Sequence, residues 1–117
     1  MQAKEMMLNN LVIANGVCAR ITEIRGEVVK TNRTIGNIPV RGLSGIPLTP
    51  DILEKAGFVK DANKYTVGGF LHIWYGHDSW TAAIWSTGMQ IPEPPQYLHT
   101  LQNLYFALTA TKLNIEL

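Results

Sequence analysis

The chain has 117 residues, a net charge of +1, 46% hydrophobic residues and 16% charged residues. This is the size and composition of one small globular domain. It excludes a disordered chain, and the longest apolar runs are too short to span a membrane. The near-neutral charge excludes the basic excess of an extended nucleic-acid binder, and a single Cys18 excludes a disulfide framework or a cysteine-rich zinc site.

The opening MQAKEMMLNN has no long apolar core and does not read as a secretory signal. Its paired methionines and Leu8 suggest a short helix or arm that docks on an apolar surface. Leu11 to Ile13 and Val17 to Ile24 flank Asn15-Gly16, a dipeptide that supplies the positive φ values of a two-residue hairpin turn. Arg25-Gly26 punctuates again, so Glu27 to Thr31 is a third strand. Ile35 to Arg41 is a fourth, with Gly36 and Pro39 marking an edge or a bend. Short strands joined by tight turns predict a small, strongly curled sheet or half-barrel.

Leu48 to Phe58 is a helix, with Thr49 as N-cap, Pro50 at the first helical position and Asp51 at the positive end of the dipole. Gly57 sits at its stop. Lys60 to Lys64 reads as a polar loop, and a three-stranded meander follows. Pro92 to Pro95 is a rigid connector. Tyr97 to Thr109 is an amphipathic helix, with Tyr97, Leu98, Leu101, Leu104, Tyr105 and Leu108 on one side of a 3.6-residue wheel. The expected fold is α+β: a curled antiparallel N-terminal sheet, a short helix, the meander and the C-terminal helix around one core, all in a single domain over residues 1–117.

Tyr65 to Thr111 carries no Lys or Arg, yet holds every tryptophan and histidine of the chain. A stretch this poor in charge is covered by something: the rest of the chain, a second copy or a ligand. Gly76-His77-Asp78-Ser79 is the natural turn between Phe70–Tyr75 and Trp80–Trp85, and either a two- or a four-residue loop sets Tyr75 opposite Trp80. Alternation then fixes both faces. Leu71, Ile73, Tyr75, Trp80, Ala82 and Ile84 form a core face, joined by Met89 and Ile91 if Thr87-Gly88 turns the chain again. The last helix is the expected lid for it. Phe70, His72, Trp74, Thr81, Ala83, Trp85 and Gln90 form a mixed aromatic and polar face. This second face reads as a further core layer, a subunit interface or a ligand surface.

No catalytic signature accompanies it. There is no HExxH, no nucleophile elbow, no phosphate-cradling glycine loop and no paired carboxylates. His72 and His77 differ in strand parity, so no metal site is expected, and no cofactor. The one basic cluster is Arg20, Arg25, Lys30, Arg33 and Arg41, partly offset by Glu23 and Glu27. A groove joining it to the aromatic face would suit a small phosphate-bearing ligand.

Two blocks carry a resemblance: IPLTPDILEKAGF (Ile46 to Phe58) and YLHTLQNLYFALT (Tyr97 to Thr109), with the His-Trp meander between them. Together they resemble a family of small proteins of unassigned function encoded by phages, prophages and mobile elements of Bacteroidetes-type bacteria. The resemblance spans roughly residues 11 to 113; the chain departs from it over Thr31 to Gly45. It implies a cytoplasmic accessory protein of an infected or lysogenic host, acting in counter-defence by blocking a host protein or sequestering a nucleotide-like signal. The expected protein is thus a non-enzymatic binder. Its contacts are His72, Trp74, Thr81, Trp85 and Gln90, with Arg20 or Arg41 as anion partners. A homodimer is expected, and neither extended nucleic acid nor membrane. The alternatives are a small histidine-dependent nucleotide hydrolase or lyase, and a purely structural virion or interaction protein.

Overall fold

The computed structural model describes residues 6–84, 89–113 and 115. The fold is α+β, with two antiparallel sheets, a six-residue helix and a twelve-residue helix. The chain divides into two compact units: Met1–Pro47 with Tyr97–Lys112, and Leu48–Gln96 with Leu113–Leu117.

The first unit begins with strands β1 (Leu11–Ala14) and β2 (Val17–Arg25). Asn15 and Gly16 turn between them with φ of 51° and 78°, the left-handed pair that a two-residue hairpin requires. Strand β3 (Val28–Thr31) pairs with the far half of β2, and a register shift between Ile21 and Glu23 bends β2 at its middle. Strand β4 (Ile38–Pro39) pairs with β3, a 3-10 turn covers Val40–Gly42, and β5 (Leu43–Ser44) pairs with β1.

The sheet order is β4-β3-β2-β1-β5. Its two edge strands are consecutive in sequence, with only the three-residue turn between them. Flat, five strands would hold their edges about 19 Å apart at ~4.8 Å per strand, whereas three residues of 3-10 helix advance about 6 Å. The sheet therefore curls until its edges nearly meet. The concave side holds Met6, Val12, Ala14, Ala19, Ile21, Val29, Ile38, Val40 and Leu43, all buried. The curl expected from the sequence is present, and Pro39 occupies an edge strand as expected, where its missing N–H costs no ladder bond.

Helix α2 (Leu98–Thr109) belongs to this unit and packs on β1. A polar attachment ties it to the N-terminal segment. Gln102 Oε1 accepts from the Leu11 N–H at 2.9 Å, and Gln102 Nε2 donates to the Asn9 carbonyl at 3.3 Å. Asn10 Nδ2 donates to Asn103 Oδ1 at 2.9 Å, while Asn10 Oδ1 accepts from the Met7 N–H at 2.8 Å. The buried stripe of α2 is accordingly Leu98, His99, Leu101 and Gln102. Leu108 is exposed and Leu104 and Tyr105 are only half-buried, so the stripe is rotated from the wheel's apolar maximum.

The second unit begins with α1 (Pro50–Lys55). Thr49 Oγ1 accepts from the Ile52 N–H at 3.2 Å, Pro50 opens the helix, and Gly57 leaves it with φ 93°. These are the start and stop read from the sequence. The expected loop at Lys60–Lys64 is instead a hairpin. Strand β6 (Val59–Asp61) pairs with β7 (Lys64–Val67) across Ala62-Asn63, and Ala62 takes φ 57°. Strands β8 (Leu71–Gly76) and β9 (Ser79–Ile84) complete a four-stranded meander in the order β6-β7-β8-β9.

The expected third strand of the meander shrinks to a bridge between Gln90 and Ala83. The Ile91 N–H donates to the Ala82 carbonyl at 2.8 Å, and the Ile84 N–H to the Met89 carbonyl at 2.9 Å. At Trp80 the side chain of Gln96 extends this edge pairing. Its Oε1 accepts from the Trp80 N–H and its Nε2 donates to the Trp80 carbonyl, each at 2.8 Å. The outer edge of β9 is thus paired along much of its length, as an edge must be to resist pairing with another chain.

Candidate functional site

Tyr75 pairs with Trp80, and Gly76 with Ser79, around a two-residue turn. His77 and Asp78 form that turn with φ of 55° and 65°. Both residues of the expected turn thereby have a structural duty as its left-handed pair. With this register, Leu71, Ile73, Trp80 and Ala82 are buried on one face as expected. Tyr75, near the turn, is 58% exposed and meets Trp80 edge-on at 5.2 Å.

The opposite face is built from cross-strand rows. One row runs Val59, Thr66, His72, Ala83 and Gln90 from β6 to the bridge; the next runs Asp61, Lys64, Trp74 and Thr81. The structure therefore brings His72, Trp74, Thr81 and Gln90 to one face. Trp85, also expected there, lies outside the described residues. Phe70 sits in the β7–β8 turn rather than at the start of a strand. Its ring lies where a Cβ on Gly68 would approach within 2.6 Å, and Gly68 also holds φ 63°, so a side chain there would be strained and would displace the ring.

Lys64 is the residue that sequence reasoning missed. It lies just outside the charge-free stretch, at the end of the segment that reads as a polar loop. Pairing with Trp74 places its Nζ 5.1 Å from the indole centroid, within cation–π range. Asp61 opposes Lys64 across the hairpin turn. The signal was there in the strand formers Tyr65, Thr66 and Val67 after a short polar Asp-Ala-Asn turn.

His72 is only 4% exposed. Burial lowers its pKa below the ordinary 6.5. The Lys64 charge lowers it further, and Asp61 acts in the opposite direction. The imidazole is therefore neutral at pH 7. Asp78 lies beyond the end of β8, in the turn to β9.

Arg20 and Arg41 belong to the first unit. Arg20 is half-buried on β2, with its N–H donating to Asn32 Oδ1 at 2.8 Å. Arg41 is exposed in the 3-10 turn. Cys18 is half-buried on β2 opposite Ile13. His99 is buried at the start of α2 and stacked with Tyr97 at 6.0 Å. Among the described residues, no three His, Cys, Asp or Glu side chains gather as a metal-binding group, and no helix is long and apolar enough to cross a membrane.

What this face offers chemically is an indole with a cation over it and hydroxyl and amide groups at its margin, while the neutral His72 is buried. No protein-family model, curated protein or solved structure matches the chain.

Proposed function

We propose that the chain is a non-enzymatic binding protein that engages a partner protein through the aromatic face of the four-stranded sheet. The row Asp61–Lys64–Trp74–Thr81 carries this reading. On this face Trp74 is half-buried, Val59 on the edge strand β6 is 67% exposed, and Lys64, Asp61 and Gln90 form a polar margin. An apolar centre with a polar rim is the anatomy of a protein interface. A nucleotide-like ligand would favour a planar guanidinium beside a free ring. Here the neighbouring cation is a lysine, a point charge, and it occupies the ring face on which a base would stack.

The resemblance of the two sequence blocks supplies the setting. It is a phage- or mobile-element-linked accessory protein in the cytoplasm of its host, acting in counter-defence by occupying a host protein. The charge-free stretch and the near-zero net charge support a homodimer.

The test has three arms on the full chain. Trp74→Ala is expected to abolish capture of a stoichiometric host protein while leaving the melting temperature within a few degrees. Nucleotides and cyclic dinucleotides are expected to leave the melting temperature unchanged; a shift of several degrees would move the site to a small-ligand reading. Light scattering is expected to return twice 13.0 kDa; a monomer at tens of micromolar removes the dimer. Turnover of a nucleotide or small ester, lost in His72→Gln, would overturn the non-enzymatic reading.

A further inference from the structure

The loop between β3 and β4, residues 32–37, presents Ile35 at 103% exposure, a β-branched side chain wholly in water. The base of the loop is tied down. The Asn32 N–H donates to the Arg20 carbonyl at 3.0 Å, and Asn32 Oδ1 accepts from the Arg20 N–H at 2.8 Å. The Thr31 and Thr34 hydroxyls bond to each other, and the Arg33 N–H donates to Thr31 Oγ1 at 3.3 Å. Ile35 is therefore offered by a held loop, which lowers the ordering cost of binding.

The chain segment that holds the loop carries one sign of charge. Between Val28 and Pro50 the sequence has Lys30, Arg33 and Arg41 and no acid. Lys30 is engaged by Glu23 at 3.4 Å. Among the described residues, Arg20 at the loop base and Arg33 on the loop enter no ion pair.

We infer that this loop is a docking site for a protein with an apolar pocket edged by carboxylates: Ile35 fills the pocket, and Arg20 and Arg33 meet its acidic rim. The assignment rests on the binding-protein reading but not on the aromatic face. Polyanions alone would use the arginines and gain nothing from Ile35. A buried aliphatic anchor inside a charged rim is the usual economy of a hot spot, while the rim sets the encounter rate.

The full chain, immobilised through a terminal tag, is used to capture a stoichiometric protein from host extract treated with nuclease. The purified pair is then compared for wild type, Ile35→Ser, Arg33→Glu and Trp74→Ala. Ile35→Ser removes a side chain in full contact with water, so its melting temperature is expected to match wild type. Its affinity is expected to fall by about tenfold to a hundredfold. Arg33→Glu is expected to slow association and flatten the salt dependence. A partner sensitive to Ile35→Ser but not to Trp74→Ala keeps the loop and removes the aromatic face. Equal affinity of Ile35→Ser and wild type overturns the loop and leaves a Trp74-dependent partner standing. Absence of any stoichiometric protein overturns both readings. Nucleic acid retained without nuclease, and indifferent to Ile35→Ser, assigns the arginines to phosphate and overturns the loop proposal.

Discussion

His72, the second residue of β8, has its pKa pushed below 6.5 by burial, with Lys64 adding to the shift and Asp61 opposing it. The folded state then binds a proton less readily than the unfolded chain. Stability from this group is complete above about pH 6.5 and is lost as pH falls through that value toward the depressed folded pKa. The melting temperature of wild type should therefore fall more steeply between pH 7.5 and 5 than that of His72→Gln; parallel curves would remove the effect. A second residue-scale prediction concerns backbone strain. Ala110 ends α2 with φ 58° while its N–H donates to the Phe106 carbonyl at 2.7 Å. This left-handed C-terminal position favours glycine, because a Cβ crowds the backbone there. Ala110→Gly should stabilise the fold by about 0.5–1 kcal/mol in urea titration, and destabilisation would show that α2 does not end as described.

At the scale of elements, attachments matter more than intrinsic propensity. An apolar stripe on α2 announces that the helix will be buried, but the amide groups of Gln102, Asn103 and Asn10 select what it is buried against. Gln102 satisfies the backbone of β1 at Leu11, a buried hydrogen bond between residues 91 apart in sequence. Gln102→Ala leaves that N–H without an acceptor, and the expected loss is about 1–3 kcal/mol in urea titration. Gln102→Glu keeps the acceptor oxygen and should recover part of it. A loss under about 0.5 kcal/mol for the alanine variant would mean that the clamp is incidental. The bend in β2 works similarly: the shift between Ile21 and Glu23 lets one strand serve two hairpins, and with it the sheet can curl back on itself.

On the scale of the whole molecule, residues 48–96 are inserted between the two segments of the first unit, and the ends of this insertion and of the gap it fills are each closed by hydrogen bonds. Pro47 and Tyr97, the cut ends of the first unit, are bridge partners, and the Leu98 N–H donates to the Ile46 carbonyl at 2.8 Å. In the second, the Leu48 N–H donates to the Gln96 carbonyl at 3.0 Å. Replacing residues 48–96 by an Asn-Gly turn, which suits two adjacent antiparallel strand ends, should leave a small β-rich protein with a cooperative urea transition. A fragment this short is marginal on surface-to-volume grounds, so a melting temperature well below that of the intact chain is expected. A fragment without β-type circular dichroism or a cooperative transition would show that the units depend on each other, as one domain does.

The features legible in the sequence were those governed by residues close together along the chain. Asn15-Gly16 dictates its turn through left-handed dihedrals, Thr49 and Pro50 start α1, Gly57 stops it, and strand alternation sets Tyr75 opposite Trp80. Each depends on contacts within a few residues, where sterics and periodicity act directly. Even there, the charged residues Lys60 and Asp61 masked a strand, because an exposed edge strand has no buried face to pattern its sequence. Tertiary structure decided the rest. It placed Lys64 over Trp74, drew α2 to β1 through side-chain amides, and brought the two edges of the five-stranded sheet near each other across three residues. Periodicity records that a face will be covered but carries no information about its partner, which is chosen by loop-closure geometry and by buried polar groups that must find hydrogen bonds wherever the folded chain provides them.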